Sequence, residues 1–139
     1  MPLFNIRLTL ARSPEAPNGD SSHAYEFRAP LDKTGHLDRT QWPLNRQFCV
    51  VAKHQHGVVV EKGLLLHTRN GKWVFSYKSG ESDDETIFRL SSHVFIPGEY
   101  VSITEHDGVQ RTFQIESVES WHPTGVEGVK AARWPSARV

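Results

Sequence analysis

Cysteine, net charge and long apolar runs are all scarce in this sequence. Cys49 is the only cysteine among 139 residues, so no disulfide can form within the chain, and a reducing, cytoplasmic setting is expected. The longest apolar run, Phe48 to Ala52, has five residues and is far too short to cross a membrane. A chain of this length is expected to form one domain with a core that needs no disulfide or metal.

The charges of the chain cancel, with sixteen basic and sixteen acidic residues. A neutral domain lacks the summed positive potential on which nucleic-acid and anionic-membrane binding draw, so neither partner is expected. The sequence has no G-x-S-x-G elbow, no Gly-rich loop before a helix and no C-x-x-C pair. Hydrolase, nucleotide and redox chemistry therefore have no signature here, and no catalytic residue can be assigned.

The best-specified local structure is a hairpin from Gly63 to Tyr77. Apolar residues alternate with others on both sides of Asn70-Gly71, a dipeptide that suits a two-residue type I′ turn. That turn predicts Leu66 opposite Phe75, and it places the large apolar side chains, Tyr77 included, on one face.

A second hairpin is predicted near the end of the chain. A two-residue loop would put the apolar residues of its two strands on opposite faces, whereas a three-residue loop, His106-Asp107-Gly108, pairs Val101 with Phe113. We therefore predict a type I turn with Gly108 in the left-handed conformation of a G1 bulge. At the other end of the chain, Leu3 to Ala11 and His23 to Ala29 alternate in the same way and are predicted to pair, with Tyr25 facing inward.

About eight short strands and no long amphipathic helix predict an all-β fold. A small antiparallel β-barrel is the preferred architecture, and a two-sheet sandwich is the alternative. Residues 1–120 are predicted to form a single β domain. Residues 121–139 are predicted to be a C-terminal tail that is either loose or docked on the barrel.

One segment has the spacing of a metal site. His54 and His56 lie two apart, and Glu61 follows after four further residues. This segment resembles the first motif of the cupin family, although Phe48 and Thr68 stand where that motif has glycine. The resemblance implies a transition-metal ion inside a small β-barrel, held by these three side chains. The family's second motif supplies a further histidine, and the candidate for it here is His106, the next histidine after Pro97-Gly98. The alternative is that both histidines decorate a solvent-facing turn.

A second group of polar side chains brackets the predicted turn at Pro97-Gly98. Its members are Arg89, His93, Glu99 and Tyr100, and they stand beside aromatic residues in the sequence. Such a set predicts a ligand pocket at a barrel mouth. The alternative is that these side chains satisfy turn backbone and pair with one another.

The sequence specifies turn and core residues more fully than it specifies any set of catalytic residues. We therefore predict a non-catalytic cytoplasmic binding or interaction module without a cofactor, working through a protein partner or a small ligand at one rim of the barrel. The alternative is a cupin-like metal-dependent enzyme that uses the His54-x-His56 segment.

Overall fold

The computed structural model of the chain is a closed barrel of eight antiparallel strands, and it describes residues 3–77, 84–88 and 94–122. Each strand pairs with the next along the chain, and β8 pairs with β1 to close the barrel. The strands are β1 Leu3–Leu10, β2 Asp20–Pro30, β3 Val50–Gln55, β4 Val58–His67, β5 Trp73–Ser76, β6 Glu85–Phe88, β7 Tyr100–Thr104 and β8 Gln110–Trp121. The predicted all-β barrel is thus confirmed, and the sandwich alternative is wrong.

The middle of the barrel is filled by aromatic side chains. Tyr25 and Phe27 of β2 point inward, as the alternation of that strand predicts, and both are fully buried. Phe75 packs against both rings, with centroid separations of 5.2 Å to Tyr25 and 5.1 Å to Phe27. Phe113 meets Tyr25 edge to face at 5.1 Å. Each such pair contributes about 0.5–1.5 kcal/mol beyond area burial, so this layer is a packed core.

The hairpin between β7 and β8 has the predicted register. Val101 lies opposite Phe113, and Gly108 has a φ of 85°. The backbone N–H of Gly108 donates to the Glu105 carbonyl at 2.8 Å, which closes the turn. The three-residue loop is therefore confirmed. The requirement that the apolar residues of both strands share one face was enough to predict its length.

The register predicted for the hairpin between β4 and β5 is wrong by one residue. Leu65, not Leu66, lies opposite Phe75, so Leu66 and Phe75 project to opposite faces. In this turn Gly71 has a φ of 79°, and Asn70 is not among the residues with positive φ. The loop is therefore a three-residue turn with a left-handed glycine rather than a type I′ turn, and it shifts β4 by one position.

A type I′ turn does occur between β3 and β4, where His56 and Gly57 have φ values of 54° and 80°. Gln55 pairs with Val58 across it. A bulge follows, because Lys53 pairs with Glu61 while the next residue on β3 pairs two positions earlier on β4. This shift turns Glu61 toward the barrel interior.

The connection between β2 and β3 closes one end of the barrel. It contains two short 3₁₀ helices, Trp42–Leu44 and Arg46–Phe48. The Trp42 indole is buried, donates from Nε1 to the Leu65 carbonyl at 2.9 Å, and meets Trp73 edge to face.

Among the residues that the structure describes, no helix is long and apolar enough to cross a membrane.

The last strand extends slightly beyond the predicted domain boundary. β8 ends at Trp121, one residue after the limit at 120, and the Trp121 ring is buried under the Arg28 guanidinium, 3.8 Å from its centroid. His122 is exposed, and residues 123–139 of the predicted tail lie outside the described residues.

Candidate functional site

The inward positions of the barrel change from apolar to ionisable at one end. This is the end at which β3 turns into β4 and β7 turns into β8, opposite the end closed by Trp42. Lys53, Glu85 and Glu105 are only 2%, 0% and 3% exposed there. With two tyrosines they form a connected set that we call the buried network: Tyr25, Lys53, Tyr77, Glu85 and Glu105.

Strand alternation explains why these side chains meet. Lys53 stands two residues after the inward Val51 on β3, and Glu105 stands two residues after Ile103 on β7. Glu85 pairs with Phe75 at the start of β6 and faces the same interior. Because neighbouring strands are antiparallel, the end of β3 and β7 coincides with the start of β6, and the three charges are brought together.

Glu85 is saturated with hydrogen bonds. The Tyr77 hydroxyl donates to its Oε1 at 2.6 Å, and the Tyr25 hydroxyl, whose single proton is shared with Glu105, lies 2.8 Å from the same oxygen. Lys53 Nζ donates to Oε2 at 2.6 Å, and the His106 backbone N–H donates to the same oxygen at 3.0 Å. Three donors of its own, together with the shared Tyr25 proton, offset much of the cost of burying the charge of Glu85.

Glu105 is held from the other side of the network. Its Oε1 accepts from Arg111 Nη1 at 2.7 Å. Its Oε2 lies 2.8 Å from His23 Nε2, 2.5 Å from the Tyr25 hydroxyl and 3.4 Å from Lys53 Nζ. A carboxylate can only accept, so His23 Nε2 carries the proton. Tyr25 and Lys53 therefore link the two buried carboxylates.

The pKa shifts follow from this arrangement. Burial raises the pKa of Tyr25 and of Tyr77, and the neighbouring carboxylates raise both further, so the two phenols stay protonated as donors. Burial alone would raise the pKa of Glu105. Hydrogen bonds from His23 and Tyr25 and the charge of Lys53 outweigh it and lower this pKa to about 2. Glu105 is thus an acceptor at any ordinary pH.

Acid is expected to destabilise the protein through Glu105. The pKa of Glu105 falls from 4.5 to about 2 on folding, so its contribution is fully present above 4.5 and is lost as the pH falls toward 2. A shift of this size corresponds to roughly 3 kcal/mol. Urea denaturation between about pH 5 and about pH 2 should show the loss, with a shallower slope in Glu105→Gln. Equal slopes in both proteins would contradict this assignment.

Four partly exposed side chains surround the mouth of the buried network, and we call them the rim: His23, Glu61, His106 and Arg111. His106 Nε2 lies 3.1 Å from Glu61 Oε1 and 3.9 Å from Glu85 Oε2. Besides Glu105, Arg111 contacts Glu15 at 2.8 Å and Asp107 at 3.0 Å. The rim thus joins the buried charges to solvent.

The structure does not bring the four predicted metal ligands together. His54 lies outside the barrel, with its Nε2 3.1 Å from Glu26 Oε1, while Glu61 faces inward and contacts His106. His56 is exposed in the turn. The bulge after Lys53 is the physical reason, since it separates the faces of His54 and Glu61. Within the described part of the chain, no three His, Cys, Asp or Glu side chains are grouped to hold a metal ion.

The predicted ligand site is described only in part. Arg89 and His93 lie outside the described residues. Glu99 and Tyr100 are exposed, and Tyr100 begins β7 at the end of that strand away from the buried network, with Glu99 directly before it. The rim at the other end of β7 was not predicted as a ligand site, although two of its members, Glu61 and His106, were proposed as metal ligands.

No protein-family model, curated protein or solved structure matches this chain. The geometry of the buried network and its rim is therefore the evidence on function.

Proposed function

We propose that this protein is a non-catalytic binding module, and that its recognition surface is the rim over the buried network. The observation that supports it is the burial of Lys53, Glu85 and Glu105 in a mutually bonded set at a barrel end. Groups of this kind are costly to bury, and they cluster at functional sites more than in ordinary cores. A single buried thiol, Cys49, supports a cytoplasmic setting.

Binding fits this arrangement better than catalysis. Glu85 has three donors of its own, a share of the Tyr25 proton and no exposed surface, so it has little capacity to take a proton from a substrate. Lys53 Nζ lies 2.6 and 3.4 Å from two buried carboxylates and is 2% exposed, so it is not free to attack a substrate. The cupin-like alternative gains no support, because His54 and Glu61 project from opposite faces of the sheet.

The partner is a cation. The ion pairs at this end involve five carboxylates, two basic side chains and two imidazoles: Glu15, Glu61, Glu85, Glu105 and Asp107, Lys53 and Arg111, and His23 and His106. Negative charge in excess of positive charge attracts a primary ammonium or a guanidinium group. Glu61 is the rim carboxylate that such a group would meet, since its contact in the ion-pair set is a half-exposed imidazole, His106.

Titration of the purified chain with spermine, and separately with a tetralysine peptide, tests this proposal. In low-salt buffer we expect saturable NMR shifts at the amides of Glu61, His106 and Asp107, and weaker binding as salt screens the charges. Glu61→Gln should weaken binding about 3- to 5-fold, as expected for a partly exposed charge pair. A preference for spermine would indicate a small polyamine ligand, and a preference for the peptide would indicate a basic protein segment.

The matched control is Glu119→Gln, which removes an exposed carboxylate from β8 far from the rim. This variant should bind like the unmodified protein. Absence of saturable shifts with both probes would overturn the proposal, and so would equal weakening by the two substitutions.

A further inference from the structure

A groove on the outside of the barrel is separate from the buried network and its rim. It has a volume of about 630 Å³ and lies between the loop that joins β1 to β2 and the outer faces of β7 and β8. Most of its lining is neutral and polar, with one aromatic ring. The side chains of this kind are Thr9, Asn18, Ser21, Tyr100, Thr112 and Gln114.

The strand register places three of these side chains in one row. Gln114 of β8 pairs with Tyr100 of β7 on one side and with Thr9 of β1 on the other. Because the three residues are direct cross-strand neighbours, their side chains stand on the same outer face. The row therefore presents a hydroxyl, an amide and a phenol ring to a ligand in the groove.

Tyr100 is the most informative member of the row. Its side chain belongs to an outward position on β7, and the residue is 52% exposed. Gln114 Nε2 donates to the Tyr100 hydroxyl at 3.4 Å and to the Gly98 carbonyl at 3.3 Å, which ties the end of the ring to the strand. A large ring held beside neutral hydrogen-bonding groups offers an apolar surface and polar contacts together.

We infer that this groove binds a saccharide. A sugar ring has C–H groups that pack on an aromatic face and hydroxyls that pair with amide and hydroxyl side chains, which is the combination found here. The two charged side chains of the lining, Arg12 and Asp20, have opposite signs. The groove therefore has no net charge with which to select a phosphate or an acid, and its neutral polar groups would be poorly satisfied by an apolar ligand.

NMR titration of the full chain with maltohexaose, laminarihexaose and chitohexaose tests the inference. At least one of these sugars should produce saturable shifts at the amides of Thr9, Tyr100 and Gln114, with a dissociation constant of about 1 mM or lower. Tyr100→Ala should weaken that binding at least about 10-fold, which equals the loss of about 1.4 kcal/mol. Tyr100→Phe keeps the ring and should stay within about 3-fold of the unmodified protein.

Ile96→Ala is the matched control, because it removes an exposed apolar side chain that does not line the groove. Its sugar binding should be unchanged, as should that of Glu61→Gln at the rim. A dispersed spectrum shows that each variant is folded. The inference is overturned if none of the three sugars gives saturable shifts, or if the shifts persist at full affinity in folded Tyr100→Ala.

Discussion

Replacing Lys53 by methionine is expected to lower the free energy of unfolding by about 3–5 kcal/mol. Lys53 supplies the cation between Glu85 and Glu105, with Nζ at 2.6 and 3.4 Å from their Oε2 atoms. Methionine fills a similar volume but leaves two buried carboxylates without that charge, so part of their desolvation cost is no longer compensated. Urea denaturation at neutral pH, followed by tryptophan fluorescence, measures the loss.

The neighbouring strand offers a matched control for this prediction. Lys62 of β4 is exposed, whereas Lys53 is buried. Lys62→Met should therefore change the free energy of unfolding by no more than about 0.5 kcal/mol. If Lys53→Met proves as mild as Lys62→Met, the buried charges do not depend on one another.

A double-mutant cycle tests the same coupling directly. Glu85→Gln alone removes the charge that faces Lys53, and the double variant Lys53→Met with Glu85→Gln removes both. The two side chains are in contact, so their substitutions should not be additive. The loss in the free energy of unfolding of the double variant should be smaller than the sum of the two single losses, and the difference should be about 1–3 kcal/mol. Additive losses would contradict a direct pair.

Stability alone does not account for this network. A buried ion pair can often be replaced by well-packed apolar side chains at no cost, because desolvation consumes most of the Coulombic gain. An apolar core continued through this end from Phe75 and Phe113 would therefore have served as well. This comparison supports a role for the charges in recognition, as proposed for the rim.

The fold could be predicted wherever the alternation of apolar residues and the turn residues were compatible with only one strand register. In the hairpin of β7 and β8, Val101 and Phe113 share a face only with a three-residue loop, and that loop is observed. Alternation likewise predicted the inward positions of Tyr25 and Phe27. These features depend on neighbouring residues, so local pattern was sufficient.

The sequence of the hairpin of β4 and β5 is compatible with two strand registers. Leu64, Leu65 and Leu66 are all apolar, so shifting β4 by one residue still places a leucine on the inner face. Asn70-Gly71 is compatible with a two-residue type I′ turn and with a three-residue turn that ends in a left-handed glycine. Pattern and turn chemistry therefore agreed on a register that the closed barrel does not use.

Parts of the buried network and of its rim could have been predicted from the sequence. Glu105 continues the alternation of Val101 and Ile103, and Arg111 continues that of Phe113 and Ile115. The inward positions of Glu105 and Arg111 could therefore have been predicted from this pattern. Lys53 could not, because Val50 and Val51 make both faces of β3 apolar. The convergence of these charges depends on closure of the barrel, which brings together strands distant in the chain.

Gly63→Ala is expected to cost at least about 4 kcal/mol or to prevent folding, because β4 and β5 cross at very close range there. A Cβ atom at Gly63 would collide with the Ser76 backbone oxygen and lie 2.6 Å from the Tyr77 Cα. Only movement of the backbone could relieve this collision, and Tyr77 would then be displaced from Glu85. Soluble yield and urea denaturation measure the effect.

Gly57→Ala is the control for this prediction, because it introduces the backbone strain of replacing a glycine without introducing a steric collision. Gly57 has a φ of 80° in the turn between β3 and β4, and an added Cβ would meet nothing within 4 Å. The substitution should therefore cost only about 1–2 kcal/mol, the strain of a left-handed alanine. If Gly63→Ala proves no more harmful than Gly57→Ala, then β4 and β5 do not approach as closely as the register requires, and the inward position of Tyr77 over Glu85 would have to be revised.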